Sequence, residues 1–111
     1  MRFIEEQSYY LDTKTGLKWA KENLGPMSWE DAMSMSDLWR LPAIEELTSL
    51  IDYTRSGPAT KLPRMELVYY WSSSPYAYDS YYAWGVYFCY GYVYGNYKPN
   101  HYYVRCVRAG G

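Results

Sequence analysis

The stretch Ala83-Trp84-Gly85-Val86-Tyr87-Phe88 decides the fold, because its side chains alternate between two kinds of surface. Trp84, Val86 and Phe88 share one parity, whereas the other parity holds Gly85, Tyr87 and Cys89. A period of two is typical of a β-strand with one packed apolar face and one exposed face. After a turn at Gly91, Tyr92-Val93-Tyr94 repeats the pattern with Val93 facing inward. The sequence therefore predicts a hairpin whose outer face is rich in tyrosine.

Tyrosine is concentrated around this hairpin. Residues 69–103 hold 13 of the 16 tyrosines of the 111-residue chain and only two charged side chains, Asp79 and Lys98. Such a composition is typical of an antibody paratope, because tyrosine offers a large amphipathic contact area while freezing only two torsions. An exposed aromatic face of this size usually marks a binding site. We therefore predict a ligand-binding face, with a tyrosine-rich sheet that serves structure alone as the alternative.

The outward positions of this window form the predicted ligand-binding site. Its central anchors are Tyr87, Tyr90, Tyr92 and Tyr94, and its flanking loops are residues 76–81 and 97–102. The complete set is Tyr76, Tyr78, Asp79, Ser80, Tyr81, Gly85, Tyr87, Cys89, Tyr90, Tyr92, Tyr94, Gly95, Asn96, Tyr97, Asn100, His101 and Tyr102.

Residues 1–68 supply the predicted scaffold. Residues 9–20 predict a hairpin that turns at Gly16. Ser28 is the predicted N-cap of a first helix, whose packed face holds Trp29, Ala32, Met33 and Ser36. A second helix follows Pro42, and its buried face holds Leu47, Leu50 and Ile51. Residues 104–111 predict a closing strand, in which Val104 and Cys106 face the core. Together these elements predict a single α+β domain of two helices packed on antiparallel sheets.

Composition excludes several classes of protein. The 11 basic residues nearly balance the 12 acidic residues, so no nucleic-acid partner is expected. No apolar run approaches the ~20 residues that a membrane span needs. Residues 1–6 turn acidic too early for the apolar part of a signal peptide, so none is expected there.

Seven motifs, taken in order, resemble a bacterial and phage domain family. They are DTKTGLKW (12–19), SWEDA (28–32), WRLPAIEEL (39–47), IDYTR (51–55), YWSSS (70–74), AWGV (83–86) and VRCVR (104–108). Together they resemble the C-terminal domain of the Legionella collagen-like adhesins and related proteins. The resemblance implies a C-type lectin fold with the ligand face on the C-terminal strands.

Within that fold, the tyrosine window resembles the variable protein of a diversity-generating retroelement. Such systems mutate template adenines, so that an Asn codon becomes any codon ending in a pyrimidine. Every outward position carries an amino acid that such codons encode. Trp71, Trp84 and Lys98 cannot arise from such codons, and they are interpreted as fixed framework positions.

The chain lacks the residues expected of a metal site or a catalytic centre. Calcium-dependent lectins carry a Glu-Pro-Asn or Gln-Pro-Asp triplet, whereas the nearest triplet here is Lys98-Pro99-Asn100. Calcium takes six to eight oxygen ligands, and Asp79 is the only carboxylate in the window. Cys89 and Cys106 have no nearby base except His101, so we expect free thiols, no catalysis, no metal and no cofactor.

The predicted function is therefore non-enzymatic recognition of a protein or cell-surface ligand by a hypervariable, tyrosine-rich face on a constant fold. Two alternatives remain open. One is a metal-independent glycan-binding module, in which tyrosine rings stack on sugars. The other is a structural knob of a phage or surface fibre. Attachment to a larger fibre or surface protein is compatible with all three, and the expected location is a phage particle or a cell surface.

Overall fold

The computed structural model describes residues 1–35 and 38–110, and within them the chain folds around one seven-stranded mixed sheet. The strands are β1 (Phe3–Glu5), β2 (Tyr9–Asp12), β3 (Lys18–Met27), β4 (Tyr69–Pro75), β5 (Tyr82–Tyr87), β6 (Tyr92–Tyr97) and β7 (Tyr102–Arg108). Their order across the sheet is β1-β2-β3-β7-β4-β5-β6. Neighbouring strands are antiparallel, except that β7 and β4 run in parallel.

The helices are much shorter than the predicted α+β class requires. Helix α1 (Trp29–Met33) and helix α2 (Ile44–Thr48) have five residues each. Helical residues make up 9% of the chain, so the α+β prediction is wrong and the fold is β-rich. At the C-terminal end of each helix, a serine hydroxyl donates to a backbone carbonyl and so competes with the backbone N–H groups that would continue the helix. Ser34 donates to the carbonyl of Asp31, and Ser49 donates to that of Glu46.

Two local predictions in the scaffold, the N-terminal hairpin and the cap of the first helix, are confirmed. Strands β2 and β3 form the hairpin, with Gly16 at a positive φ of 79° in its turn. Ser28 caps α1, because its hydroxyl accepts a hydrogen bond from the N–H of Asp31 at 3.2 Å. Ala32 is buried, but Met33 is exposed and does not belong to the packed face. Ser36 and Gly111, which were assigned to the first helix and the closing segment, lie outside the described residues.

Near its centre, the sheet is buried on both faces. One face carries the first core cluster, whose fully buried members include Trp19, Leu47, Leu50, Tyr70, Val86, Phe88 and Val107. The other face carries the second core cluster, which includes Tyr69, Trp71, Ala83, Val104 and Cys106. Burial is confirmed at the predicted inward positions Leu47, Leu50, Ile51, Val86, Phe88, Val104 and Cys106. Helix α2 ends at Thr48, however, so Leu50 and Ile51 lie beyond the helix to which they were predicted to belong. Val93, which was also predicted to face inward, is 38% exposed because β6 lies at the edge of the sheet.

Two buried charges help to fix the sheet. The Asp12 carboxylate accepts two hydrogen bonds from Arg2, each at 2.9 Å. Burial alone would raise the pKa of Asp12, but bonds from Arg2, Thr15 and the N–H of Lys14 hold that pKa below its usual value. Arg105 of β7 is fully buried and donates to the carbonyl of Pro63 at 2.7 Å. Within residues 1–35 and 38–110, no helix is long and apolar enough to cross a membrane.

Candidate functional site

Strands β5 and β6 divide the predicted site between two faces of the sheet. Their antiparallel register is unbroken over six residue pairs. Directly paired residues lie on the same face of a sheet. One face, here called the Tyr92 face, carries Tyr87 paired with Tyr92, and Gly85 paired with Tyr94. The opposite face, here called the Trp84 face, carries the pairs Trp84–Gly95, Tyr82–Tyr97 and Val86–Val93.

The Tyr92 face carries the predicted central anchors as one contiguous group. We call Tyr87, Tyr90, Tyr92 and Tyr94 the hairpin patch. The ring of Tyr90 lies 6.0 Å from that of Tyr87 and 5.5 Å from that of Tyr92. Tyr90, Tyr92 and Tyr94 are 55%, 59% and 40% exposed. The structure therefore brings the four anchors together, with Tyr90, Tyr92 and Tyr94 exposed and Tyr87 half-buried.

The buried side chain of Tyr69 packs against the inner side of the hairpin patch. The ring of Tyr69 lies 5.1 Å from that of Tyr94, and its hydroxyl donates to the carbonyl of Tyr94 at 2.6 Å. Burial raises the pKa of Tyr69 far above its usual value, so this hydroxyl keeps its proton and remains a donor. Tyr102 packs 4.7 Å from Tyr69 and donates to Asn96 Oδ1 at 3.2 Å. These contacts fix the strand that presents the patch.

Cys89 lies at one end of the hairpin patch. It is half-buried, and both cysteines of the chain are free. A hydrogen bond with Cys89 raises the pKa of Tyr87, and the nearby Cys89, Tyr90 and Tyr94 groups raise it further. Cys106 is buried in the second core cluster, and burial raises the pKa of its thiol. A raised pKa disfavours the reactive thiolate at Cys106.

The Trp84 face carries a second aromatic cluster that the sequence did not separate from the first. The ring of Tyr76 lies 4.7 Å from that of Trp84 and 5.3 Å from that of Tyr78. Beside these rings is an open groove of about 290 Å³, lined by Tyr76, Asp79, Tyr82, Tyr94 and Gly95. Tyr82 is not among the predicted site residues.

Gly85 is the one predicted site residue that is fully covered. A Cβ atom placed on Gly85 would lie 2.4 Å from Tyr69 Cζ and 2.4 Å from the carbonyl oxygen of Tyr70. The prediction that Gly85 faces outward is therefore wrong, because the ring of Tyr69 occupies that side of β5. The other predicted positions are all at least partly exposed. Those outside the hairpin patch are exposed at Tyr78, Asp79, Ser80, Tyr81, Tyr97, Asn100 and His101, and half-buried at Tyr76, Cys89, Gly95, Asn96 and Tyr102; within the patch, Tyr87 is half-buried.

The residues interpreted as framework hold the loops around the site. Trp71 is fully buried, and its indole N–H donates to the carbonyl of Met27 at 3.0 Å. Lys98 Nζ lies 4.4 Å from the ring centre of Trp29 and donates to the carbonyl of Ser80 at 2.7 Å. Trp84 is only half-buried. In the part of the chain that the structure describes, no three His, Cys, Asp or Glu side chains are grouped to hold a metal ion.

The fold and these surfaces define a small, β-rich domain that presents tyrosine on an ordered hairpin. The family model of the Lcl C-terminal domain matches residues 8–108, and the chain therefore belongs to that family. This match confirms the resemblance to the Legionella collagen-like C-terminal domains at the level of the family. No curated protein and no solved structure shows a significant match to the chain.

Proposed function

We propose that this domain is a non-enzymatic recognition module that binds a protein or cell-surface ligand through the hairpin patch. The observation that carries the proposal is the arrangement of Tyr87, Tyr90, Tyr92 and Tyr94, which are contiguous and accessible on a fixed backbone. Membership of the Lcl C-terminal domain family supports a role in adhesion.

The physical chemistry of the patch favours protein binding. The continuous β5–β6 register and the bond from Tyr69 to Tyr94 order the patch before a ligand arrives. Preorganisation strengthens binding because less conformational freedom is lost on association. Residues 80–97 contain no charged side chain, so no ion has to be desolvated at the centre of the interface.

Binding to a panel of bacterial strains, measured by flow cytometry with the labelled domain, tests this proposal. The test variant carries Tyr90→Ser and Tyr92→Ser, and the matched control is Tyr78→Ser, an 85% exposed tyrosine in the other aromatic cluster. Loss of one hot-spot residue costs about 2 kcal/mol or more, which is about 30-fold in affinity. Loss of both anchors should therefore weaken binding by at least about 30-fold, and by about 900-fold where the two contributions add. Equal binding by the double variant and the wild type would refute the proposal.

Treatment of the cells distinguishes the ligand classes. A protein ligand predicts that protease treatment abolishes binding, whereas a glycan ligand predicts loss after periodate oxidation of sugars. Binding should be equal in millimolar calcium and in chelator, since the domain is proposed to act without a metal. A structural knob predicts no binding to any strain and a defined oligomer by mass measurement in solution.

We also propose that a retroelement diversifies this surface. Tyr90, Tyr92 and Tyr94 of the hairpin patch lie outside both core clusters, whereas Tyr87 packs against the second. Substitutions at exposed positions usually change stability by less than about 0.5 kcal/mol. Sequencing of sibling genes should show variation at the four patch tyrosines and constancy at Trp71 and Gly85. Gln, Glu, Lys, Met and Trp should not appear at the varied positions. Variation spread evenly along the chain would exclude this mechanism.

A further inference from the structure

The loop that begins the second aromatic cluster is closed by its own backbone. The N–H of Tyr76 donates to the carbonyl of Tyr82 at 3.0 Å, and the N–H of Tyr82 donates to that of Asp79 at 3.1 Å. A third bond joins the N–H of Asp79 to the carbonyl of Tyr76 at 3.3 Å. The backbone of residues 76–82 is therefore held as one unit before a ligand arrives.

Two tyrosine rings form the walls of the groove beside this loop. The rings of Tyr76 and Tyr82 are 6.3 Å apart and inclined by 53°. The ring of Trp84 packs against that of Tyr76, with 4.7 Å between the ring centres. Gly95 leaves space for the Tyr76 ring, because a Cβ atom at position 95 would lie 2.8 Å from Tyr76 Cδ1. The groove is therefore bounded by electron-rich aromatic surfaces at an angle to one another, a geometry suited to a cation.

The groove also contains a negative charge. Asp79 Oδ1 accepts a hydrogen bond from the N–H of Tyr81 at 2.9 Å, which fixes the carboxylate at the groove. Among the described residues, Asp79 makes no ion pair. The nearby cation Lys98 is bound to the carbonyl of Ser80 and lies over Trp29. An incoming cation would therefore meet both the carboxylate and the ring faces without displacing a bound side chain.

The kind of cation follows from these groups. One carboxylate cannot supply the oxygen ligands that a calcium ion requires. A weakly hydrated, alkylated ammonium group gains from contact with aromatic faces and from the carboxylate together. We propose that this groove is a second binding site, which takes the quaternary ammonium group of a choline-like or trimethyl-lysine-like molecule. The site goes beyond the proposed function and does not depend on it.

Calorimetric titration with choline tests the proposal. The matched ligand is 3,3-dimethylbutan-1-ol, which has the same shape but no charge. Choline should bind at least about fivefold more tightly than this alcohol, because the ring faces and the carboxylate act on the charge. Phosphocholine and Nε-trimethyllysine carry the same head group on different molecules, and the tighter binder identifies the natural carrier.

Variants locate the site. Asp79→Asn keeps the acceptor for the N–H of Tyr81 and should weaken choline binding about fivefold without changing the melting temperature. Tyr90→Ser, on the hairpin patch, should leave choline binding unchanged although it weakens binding to cells. Equal affinity for choline and the neutral alcohol would overturn the proposal, as would unchanged binding by Asp79→Asn or no choline binding at all. The groove and the hairpin patch share Tyr94. Asp79→Asn changes no residue of the patch and Tyr90→Ser changes no residue that lines the groove, so the two proposals fail independently.

Discussion

Replacing Gly85 by Ala tests the packing beneath the hairpin patch. The added methyl group would lie 2.4 Å from Tyr69 Cζ and from the carbonyl oxygen of Tyr70. Contacts between non-bonded carbon atoms are favourable only at about 3.5–4.0 Å, so the neighbours must move. The carbonyl of Tyr70 belongs to β4, which is paired on both sides, and it cannot move without disturbing the ladder.

The size of the effect follows from two opposing contributions. Overpacking of a buried position costs typically about 1–3 kcal/mol, and a backbone contact places Gly85→Ala near the upper limit. The substitution also restricts the unfolded chain, which stabilises the fold by about 0.4–1 kcal/mol. The net loss should be about 2 kcal/mol, which corresponds to a fall in melting temperature of roughly 8 °C.

Gly95→Ala is the matched control, because Gly95 lies on the same hairpin. Its added Cβ would meet only the ring of Tyr76, at 2.8 Å, and that half-buried side chain can turn toward solvent. We expect this variant to change stability by less than about 1 kcal/mol. Urea denaturation followed by tryptophan fluorescence measures both variants. If Gly85→Ala is as stable as the wild type, or if the two variants lose equal stability, the packing of Tyr69 and Tyr70 against Gly85 is refuted.

Three further predictions concern stability. Trp71→Ala should cost about 3–5 kcal/mol in urea denaturation, whereas Tyr90→Ala should change stability by less than about 0.5 kcal/mol; equal losses would contradict the division into core and surface. Burial raises the pKa of Tyr70 to about 12 from a usual value of 10.0, so stability should be complete below pH 10 and fall by roughly 2–3 kcal/mol as the pH rises through 12. Alkaline melts that are identical for wild type and Tyr70→Phe would argue against this linkage. Arg2→Ala leaves the Asp12 carboxylate buried and unpaired and should cost about 3 kcal/mol at pH 7. Because the pKa of Asp12 is lowered in the fold, the difference should shrink as the pH falls below about 4; a difference that does not depend on pH would show that Asp12 is not the cause.

Features that depend on a few neighbouring residues could be predicted from the sequence. The hairpin turn at Gly16 and the cap at Ser28 each involve groups no more than five positions apart. The burial of Leu47, Leu50 and Ile51 also followed from their spacing, although α2 ends at Thr48 and only Leu47 of the three lies within it. Helix length could not be predicted so well, since it also depends on hydroxyl groups that compete for the final carbonyls.

Pairing between distant parts of the chain was the main feature that the sequence did not reveal. Strand β3 extends to Met27 because it pairs with β7, although Gly25 and Pro26 are typical of a break in a strand. Alternation correctly identified which residues of β5 share a face, but it did not reveal that Tyr69 covers Gly85. Tyrosine itself is ambiguous, because a buried ring with a bonded hydroxyl, as in Tyr69, and an exposed ring, as in Tyr90, have the same composition.

The central position of β7 has a consequence for how the chain is made. Although β7 comes last among the seven strands in sequence, it lies between β3 and β4 and joins the two groups of strands. During synthesis, both groups leave the ribosome before the strand that connects them. Closure of the sheet must wait for residues 102–108, and long-range pairing of this kind slows folding. A nascent chain that stops within the tyrosine-rich region therefore cannot close its sheet, and only chains translated through β7 present the hairpin on a finished scaffold.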